Sequence, residues 1–198
     1  AGDGANTVTA TTGDDTITTG AGQDVINAGA GDNTITAGGD IDIITTGAGN
    51  DLIDAGAGND TVNAGDGVNI IRGQAGDDVI TGGAGNDTIF GGAGNDDLDG
   101  GLGINDWVDY SEDGGAGGLT IDLAAGTATD GLGDSDTLAG FEHVIGTANN
   151  DTMTGSNGVV NTLNASGGVN TLDQSGDVAR SEEHTSELQS RYSHREYY

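Results

Sequence analysis

A repeat of nine residues governs this chain. Cutting the sequence every nine residues from Ala1 gives twelve consecutive units that end at Val108, with no insertion between them. Two representative units are Gly-Gly-Ala-Gly-Asn-Asp-Thr-Ile-Phe at 82–90 and Gly-Gly-Ala-Gly-Asn-Asp-Asp-Leu-Asp at 91–99. Because units this short cannot bury an apolar surface alone, neighbouring units must stack on one another. The chain is therefore expected to form an all-β solenoid.

The eighth position of each unit is always apolar, and in ten of the twelve units it is a β-branched aliphatic residue that favours a strand. Its neighbours at the seventh and ninth positions are mostly polar, which predicts a three-residue strand with one inward side chain. The twelve predicted inward residues are Val8, Ile17, Ile26, Ile35, Ile44, Ile53, Val62, Ile71, Ile80, Ile89, Leu98 and Trp107.

Glycines at fixed offsets define the remaining six residues of each unit as a turn. The fourth position is glycine in eleven of twelve units, with Asp40 as the exception, and the second is glycine in ten, with Thr11 and Gln74 as the exceptions. Such glycines permit positive φ angles and close approach of the backbone to a ligand.

The sixth position supplies oxygen ligands. A carboxylate on a glycine-rich turn, with main-chain carbonyls nearby, suits Ca²⁺, whereas zinc and copper prefer nitrogen or sulfur. Asx-type turn formation without metal is the alternative role, but carboxylates stacked at roughly 4.8 Å would repel one another unless a cation lay between them. The sixth-position residues are Asp15, Asp24, Asp42, Asp51, Asp60, Asp78, Asp87 and Asp96, with Asn6, Asn33, Asn69 and Asn105 in the other four units.

The charge of the chain excludes several classes of partner. With 33 acidic and 4 basic residues, the net charge is −29, so neither nucleic acid nor an anionic membrane is an expected partner. No apolar run approaches the ~18 residues of a membrane span. Forty glycines and 4% aromatic residues also leave too little apolar bulk for a conventional core. Folding is therefore expected to require a bound cation, and the metal-free chain is expected to be largely disordered.

The pattern resembles the RTX (repeats-in-toxin) nonapeptide, cleanly over 1–108 and degenerately to about Asp177. The resemblance implies a right-handed parallel β-roll in which two nonapeptides form one coil and several calcium ions lie between the turns of neighbouring coils. It also implies a monomeric module. The implied ligands are the sixth-position side chains and the carbonyl oxygens of Gly82, Gly83, Gly85, Gly91, Gly92 and Gly94.

Since consecutive units face opposite edges of such a roll, odd and even units form separate columns of ligands. Asp24, Asp42, Asp60, Asp78 and Asp96 follow one another in the odd column, whereas aspartate alternates with asparagine in the even one. Ligand charge tunes calcium affinity, so the odd edge is expected to bind more tightly.

Residues 109–145 break the period and are interpreted as a spacer that caps the last coil. Trp107, Tyr110, Leu138, Phe141 and Val144 are the residues expected to cover it, because a solenoid needs its open end covered. His143 is expected to lie on the spacer surface.

The period resumes as a degenerate second block at 146–179. Its predicted ligand positions hold one carboxylate in three, which predicts weak sites. These positions are Asp151, Asn161 and Asn170, and the predicted inward residues are Met153, Leu163 and Leu172.

Residues 180–198 differ in composition and carry three of the four basic residues. This tail resembles a translated sequencing adapter and is interpreted as non-native, with an uncleaved C-terminal export signal as the alternative.

No zinc-protease, nucleophile-elbow or phosphate-loop motif occurs in the sequence, which predicts a non-enzymatic module.

Ala1 already lies inside a repeat, so the sequence is expected to be part of a longer bacterial protein. By the RTX resemblance, that protein is secreted, extracellular or on the cell surface, and leaves the cell through a type I-like channel. The alternative is the non-catalytic C-terminal portion of a secreted RTX metalloprotease, lipase or alginate epimerase. Ice binding by outward threonines is disfavoured because the array stops at Leu52 and Asp54.

Overall fold

The computed structural model describes residues 1–156 and 162–173, and every regular element in these two ranges is a β-strand. The strands form two sheets that face each other across a thin core. The odd sheet contains, in spatial order, β1 (Thr7–Thr9), β3 (Val25–Gly29), β5 (Ile43–Thr46), β7 (Thr61–Asn63), β9 (Val79–Thr81), β11 (Asp97–Asp99), β15 (Ser135–Ala139), β14 (Thr127–Thr129), β13 (Thr120–Asp122), β17 (Thr152–Thr154) and β19 (Thr171–Asp173). The even sheet contains β2 (Thr16–Thr18), β4 (Thr34–Gly39), β6 (Leu52–Ala57), β8 (Ile70–Ala75), β10 (Thr88–Ala93), β12 (Trp107–Asp109), β16 (His143–Ile145) and β18 (Thr162–Asn164).

Strands pair in parallel with the strand two units later, as Val8 with Ile26 and Ile35 with Ile53. The chain therefore alternates between the sheets, and two units make one coil. The predicted parallel β-solenoid is confirmed. No helix in the described part of the chain is long and apolar enough to cross a membrane.

The core is built from the eighth position of each unit, as predicted, but a second position also points inward. Ile53, Ile71 and Ile80 are fully buried at the eighth position. At the first position, Ala55 and Ala64 are fully buried as well. The sequence-based assignment of one inward residue per unit was therefore incomplete. Where the first position holds alanine, as at Ala28, Ala37, Ala55 and Ala64, its methyl group lies in the core.

Most of the turn glycines adopt the positive φ that the spacing predicts. Gly94 has φ +140°, and a Cβ there would lie well inside van der Waals contact with the carbonyl oxygen of Gly76 in the preceding coil. At two of the exceptional positions, Asp40 and Gln74 take φ values of 66° and 81°. The turn thus imposes positive φ even on residues that seldom adopt it.

The twelfth unit departs from the count of nine. Thr88 pairs with Trp107 and Ile89 with Val108, a separation of 19 residues rather than 18. Val108 is fully buried, whereas Trp107 is half-buried on the outer face. The assignment of Trp107 to the core was therefore wrong. Ile104, 79% exposed, lies in a turn that is one residue longer, and a slip of one residue exchanges the inward and outward side chains of a strand.

Residues 109–145 continue the solenoid while covering the twelfth unit. Strand β16 pairs with β12 on one side and with β18 on the other, so the even sheet passes straight through the spacer. In the odd sheet the antiparallel strands β13 and β14 are inserted between β15 and β17. Tyr110, Leu138, Phe141 and Val144 are buried.

His143 is only 7% exposed, which contradicts its expected surface position. Its ring stacks on Trp107 with the ring centroids 4.5 Å apart. Its Nδ1 accepts a hydrogen bond from the backbone N–H of Thr162 (3.1 Å), so Nε2 carries the proton and faces Oδ1 of Asn105 at 3.3 Å. The histidine therefore ties the spacer to the coils on either side of it.

The second block is present as β17 to β19. Met153 and Leu163 are fully buried, and Leu172 is partly buried against the same core. Asn161 and the tail 180–198 lie outside the described residues.

The turn geometry yields a matched pair of substitutions. Gly94→Ala places a Cβ against a main-chain carbonyl at positive φ, whereas Gly39→Ala meets no atom closer than 3.9 Å at an ordinary φ. In excess calcium, we expect Gly94→Ala to lower the free energy of unfolding by more than about 1 kcal/mol and Gly39→Ala to leave it unchanged or slightly raised. Urea unfolding followed by circular dichroism measures both, and equal effects would show that the turn tolerates a side chain.

Candidate metal centre

The sixth-position side chains form two columns, one along each edge of the solenoid where the turns stack. The odd column contains Asn6, Asp24, Asp42, Asp60, Asp78, Asp96 and Asp136, and the even column contains Asp15, Asn33, Asp51, Asn69, Asp87, Asp106 and Glu142.

One oxygen of every column carboxylate except Asp15 accepts a hydrogen bond from the main chain of another coil. The backbone N–H of Asp42 donates to Oδ1 of Asp60 at 2.7 Å, and the N–H of Asp60 donates to Oδ1 of Asp78 at 2.7 Å. The same bond recurs from coil to coil along both columns. Since each side chain holds the main chain of the coil before it, the column is part of the framework that links the coils.

In eight column aspartates the other oxygen has no donor. Buried carboxylate oxygens normally accept hydrogen bonds, and an unpaired buried charge is strongly unfavourable. In these eight, however, Oδ2 is buried and accepts no hydrogen bond. The aspartates with such an oxygen are Asp24, Asp42, Asp51, Asp60, Asp78, Asp87, Asp96 and Asp106. A row of orphaned carboxylate oxygens fits hard cations that bind oxygen.

Main-chain carbonyls approach the same orphaned oxygens. At Gly82, the point that a Cβ would occupy is 2.6 Å from Oδ2 of Asp87 and 2.7 Å from the carbonyl oxygen of Gly100. At Gly73, the corresponding point lies against Oδ2 of Asp78 and 2.6 Å from the carbonyl oxygen of Gly91. The absence of a side chain at the first position thus lets a carboxylate and a carbonyl converge.

The six glycines expected to contribute carbonyls are placed differently from one another. The carbonyl oxygens of Gly91 and Gly85 lie beside the carboxylates of Asp78 and Asp106. The carbonyl of Gly83 instead accepts the N–H of Leu102 at 2.6 Å, and that of Gly82 faces the amide of Asn69 at 3.5 Å. Gly92 and Gly94 occupy the turns with φ of +101° and +140°.

The column asparagines donate hydrogen bonds to neighbouring carboxylates. The amide Nδ2 of Asn33 donates to Oδ1 of Asp51 at 3.0 Å and to the carbonyl oxygen of Gly31 at 2.8 Å. Asn6 makes the same kind of bond to Oδ1 of Asp24 at 2.8 Å. The amide therefore gives local hydrogen-bond support to the neighbouring carboxylate, which a second carboxylate cannot give.

In the structure, the even-column position that was predicted for Asn105 is occupied by the next residue, Asp106. Asn105 is exposed, whereas Asp106 is fully buried and its Oδ1 accepts the N–H of Asp87 at 2.7 Å. The placement of Asn105 in the column was wrong because the turn contains one extra residue. The Asn-Asp pair that also stands at 86–87 and 95–96 would have revealed the shift.

Asp136 and Glu142 extend the columns into the spacer and were missed by counting. The N–H of Asp96 donates to Oδ1 of Asp136 at 2.9 Å, and the N–H of Asp106 donates to Oε2 of Glu142 at 3.0 Å. The triplet Asp-Thr-Leu at 136–138, which matches the Asp-Thr-Ile of regular units, was the available indication of the first.

Asp151 occupies the predicted position in the second block. Its Oδ1 accepts the N–H of Leu119 at 2.8 Å and the hydroxyl of Thr147 at 2.7 Å, and its Oδ2 is buried without a donor. Asn170 accepts the N–H of Asp151 at 2.8 Å.

A further ladder runs along the exposed fifth position and was not predicted. Oδ1 of Asp14 accepts the N–H of Asp32 at 2.9 Å, and Oδ1 of Asp32 accepts the N–H of Asn50 at 2.7 Å. The direction is opposite to that of the sixth position, because here a side chain accepts from the following coil. The two ladders together fix each turn to both of its neighbours.

Burial, with repulsion from nearby carboxylates, raises the pKa of several column carboxyls. For Asp78 and Asp96 the pKa rises to about 7, chiefly because burial disfavours the charged form, with further contributions from nearby aspartates. For Asp42 and Asp106 it rises to about 6 for the same reasons. At Asp24 burial is outweighed by hydrogen bonds, and the pKa is lowered.

Nowhere in residues 1–156 and 162–173 do three or more acidic or histidine side chains converge as a metal cluster. Coordination must therefore combine one or two carboxylates with main-chain carbonyls. Ca²⁺ accepts such mixed oxygen sets with flexible geometry.

The two columns supply a test of carboxylate number. Asp60→Asn removes one charge between Asp42 and Asp78, whereas Asp51→Asn removes one between Asn33 and Asn69. Both variants retain the Oδ1 that accepts a backbone N–H. Because ligand charge sets affinity, Asp60→Asn is expected to raise the calcium concentration at the folding midpoint more than Asp51→Asn does. Calorimetric titration compares them, and an equal or larger loss for Asp51→Asn would show that backbone geometry dominates.

The raised pKa values predict that the metal-free folded state is more stable at low pH than at high pH. The folded state holds protons on Asp78 and Asp96 up to about pH 7, whereas the unfolded chain releases them near 3.9. Stability of the metal-free fold is therefore expected to fall as the pH rises through this range. Circular dichroism in calcium-depleted buffer should show more β-structure at pH 5 than at pH 8. The opposite order would contradict the buried placement of these carboxyls.

Comparison with known proteins agrees with this geometry. The model of the RTX calcium-binding nonapeptide repeat matches four segments of the chain, at residues 1–35, 36–71, 72–106 and 136–172. No curated protein matches the sequence significantly. The matched segments cover more than half of the chain and contain the column aspartates from Asp15 to Asp151. RTX nonapeptide repeats are calcium-binding modules of secreted proteins, and this chain belongs to their family.

Proposed function

We propose that this chain is a calcium-folded structural module of a secreted bacterial protein, and that the ions lie between the turns along both columns. The observation that carries the proposal is the row of buried Oδ2 atoms without donors. Each such carboxylate needs a positive charge, yet Arg72 is the only lysine or arginine among residues 1–179. Calcium entering from solution supplies that charge.

Calcium binding is thereby coupled to folding. The interior is thin, and the two columns add repulsion between buried carboxylates in the folded state alone. A cation bound only by the folded chain offsets both, as in other proteins whose metal site exists only after folding. In the metal-free state the backbone entropy is expected to prevail over the small core.

This coupling suits export of an unfolded chain. Cytosolic calcium would leave the module unfolded, and the higher calcium concentration outside the cell would fold it. A type I-like secretion route is consistent with this order of events. The absence of cysteine removes any need for an oxidising compartment.

The module itself is proposed to be non-catalytic, since its paired aspartates face one another on stacked turns as ligands. A non-catalytic portion of a larger secreted enzyme remains the second candidate. The reading frame upstream of Ala1 distinguishes the two, because a catalytic domain there supports the enzyme and long further repeats support a structural or adhesive protein.

Calcium removal tests the proposed function. The full chain is expected to give a disordered far-ultraviolet circular dichroism spectrum in EGTA and a β-rich one in millimolar Ca²⁺. The midpoint is expected to lie well above cytosolic free calcium. Mg²⁺ at the same concentration is the control, since it requires near-octahedral geometry and dehydrates reluctantly. A β-rich spectrum that persists in EGTA, or a submicromolar midpoint, would defeat the proposal.

A further inference from the structure

Two loops of the spacer meet outside the repeat columns and bring two further aspartates close together. The first loop follows β12 and contains Asp113, and the second precedes β15 and contains Asp130. The N–H of Gly117 donates to the carbonyl oxygen of Gly131 at 3.1 Å. A Cβ on Gly115 would overlap the same carbonyl and lie 2.6 Å from the backbone nitrogen of Leu132. The loops are therefore in direct backbone contact beside both carboxylates.

Asp130 is held rigidly with one oxygen free. Its Oδ1 accepts three backbone N–H groups, from Leu132 at 2.9 Å, Gly133 at 2.8 Å and Asp134 at 2.9 Å. The side chain is 4% exposed, and its Oδ2 is buried without any hydrogen-bond donor. Three main-chain donors orient this carboxylate, and the orientation leaves Oδ2 unpaired.

Asp113 presents a second oxygen of the same kind. Its Oδ2 is also buried and accepts no hydrogen bond. Burial raises the pKa of this carboxyl to about 8, and the nearby charges that add to the rise are, in order, Asp130, Asp136, Asp109 and Asp96. Asp130 comes first among these charges, which agrees with the backbone contact between the two loops.

No protein cation is available to this pair. Arg72 is the only lysine or arginine in the described ranges, and its guanidinium donates to both carboxylate oxygens of Glu112 at 3.0 and 3.1 Å. Asp136 cannot complete the pair as a third free carboxylate, because its oxygens accept the N–H of Asp96 and the hydroxyl of Tyr110, each at 2.9 Å.

We propose that Asp113 and Asp130 form a separate binding site for a hard divalent cation such as Ca²⁺, outside the repeat columns. Both residues lie between the third and fourth segments that match the repeat model, so no nonapeptide supplies this site. Two carboxylates balance the charge of a divalent ion. Asp113 is half-buried, so water can supply further oxygens. An ion here joins the loop after β12 to the turn before β15 and thereby fixes the inserted β13–β14 hairpin.

The direct experiment uses the unaltered full chain. Crystals grown with Tb³⁺, a substitute for Ca²⁺, are examined by anomalous diffraction. We expect a peak within ligand distance, about 2.3–2.6 Å, of Oδ2 of both Asp113 and Asp130. Peaks along the two columns with none between these residues would overturn the proposal while leaving the column sites intact. Absence of peaks in the columns would count against the proposed function instead.

A solution test uses Asp113→Asn, which alters a loop side chain outside the columns. The matched control is Asp122→Asn in the β13–β14 hairpin, where asparagine retains the Oδ1 that accepts the N–H of Ala125. Bound metal counted after equilibrium dialysis is expected to fall by one ion per chain in Asp113→Asn and to stay unchanged in Asp122→Asn. Equal counts in all three proteins would show that the two carboxyls share a proton rather than a metal ion.

The direction of the change in melting temperature in excess calcium is an independent test of the site. Removing a ligand lowers it, whereas removing one of two uncompensated carboxylates relieves repulsion and raises it. A fall in Asp113→Asn relative to Asp122→Asn therefore supports the site, and a rise contradicts it.

Discussion

The structure depends on carboxylates that hold the coils together with one oxygen and leave the other without a protein donor. Oδ1 of Asp60 accepts the main-chain N–H of Asp42, and its Oδ2 is buried and unpaired. The fold therefore cannot move the charge away without losing its own hydrogen bonds. The other features of the turn follow from this constraint. Glycines at positive φ permit the close stacking that the carboxylate ladder requires, and their carbonyls provide further oxygens for a cation.

The odd and even columns differ in how the unpaired carboxylate charge is accommodated. In the odd column, aspartates follow one another from Asp24 to Asp96, and burial, with further contributions from nearby aspartates, raises the pKa of Asp78 and Asp96 to about 7. In the even column, the amide of Asn33 donates to the next carboxylate and relieves part of the same problem. We therefore expect the odd edge to depend more on bound cations than the even edge. In the even column, consecutive carboxylates occur only at the end, where Asp87, Asp106 and Glu142 follow one another.

The spacer belongs to the solenoid rather than ending it. Asp136 and Glu142 carry the two ladders across it, and β16 passes the even sheet to β18. The inserted hairpin lengthens only the odd sheet, and the paired loops at Asp113 and Asp130 lie where that insertion departs from the coil. The ring of His143 stacks on Trp107 and accepts the N–H of Thr162, which links the spacer to the strands on either side of it. Structural continuity thus explains why repeats can resume after about thirty residues that do not match them.

The sequence alone determined the solenoid and most of the column aspartates, because a strict period of nine repeats the same strand and turn, and the resemblance to RTX repeats implied the two-unit coil. Only the tertiary structure decided the exceptions. Division of the sequence into units of nine placed Trp107 and Asn105 one residue out of register. A turn can contain one extra residue without any change in the composition around it. The same division also missed Asp136, Glu142 and the buried first-position alanines. The pairing of Asp113 with Asp130 could not be read from the sequence at all, because 17 residues and a hairpin separate them and only the contact of two loops joins them. Repetition specifies what each coil shares with the next, and contacts between coils specify where that regularity ends.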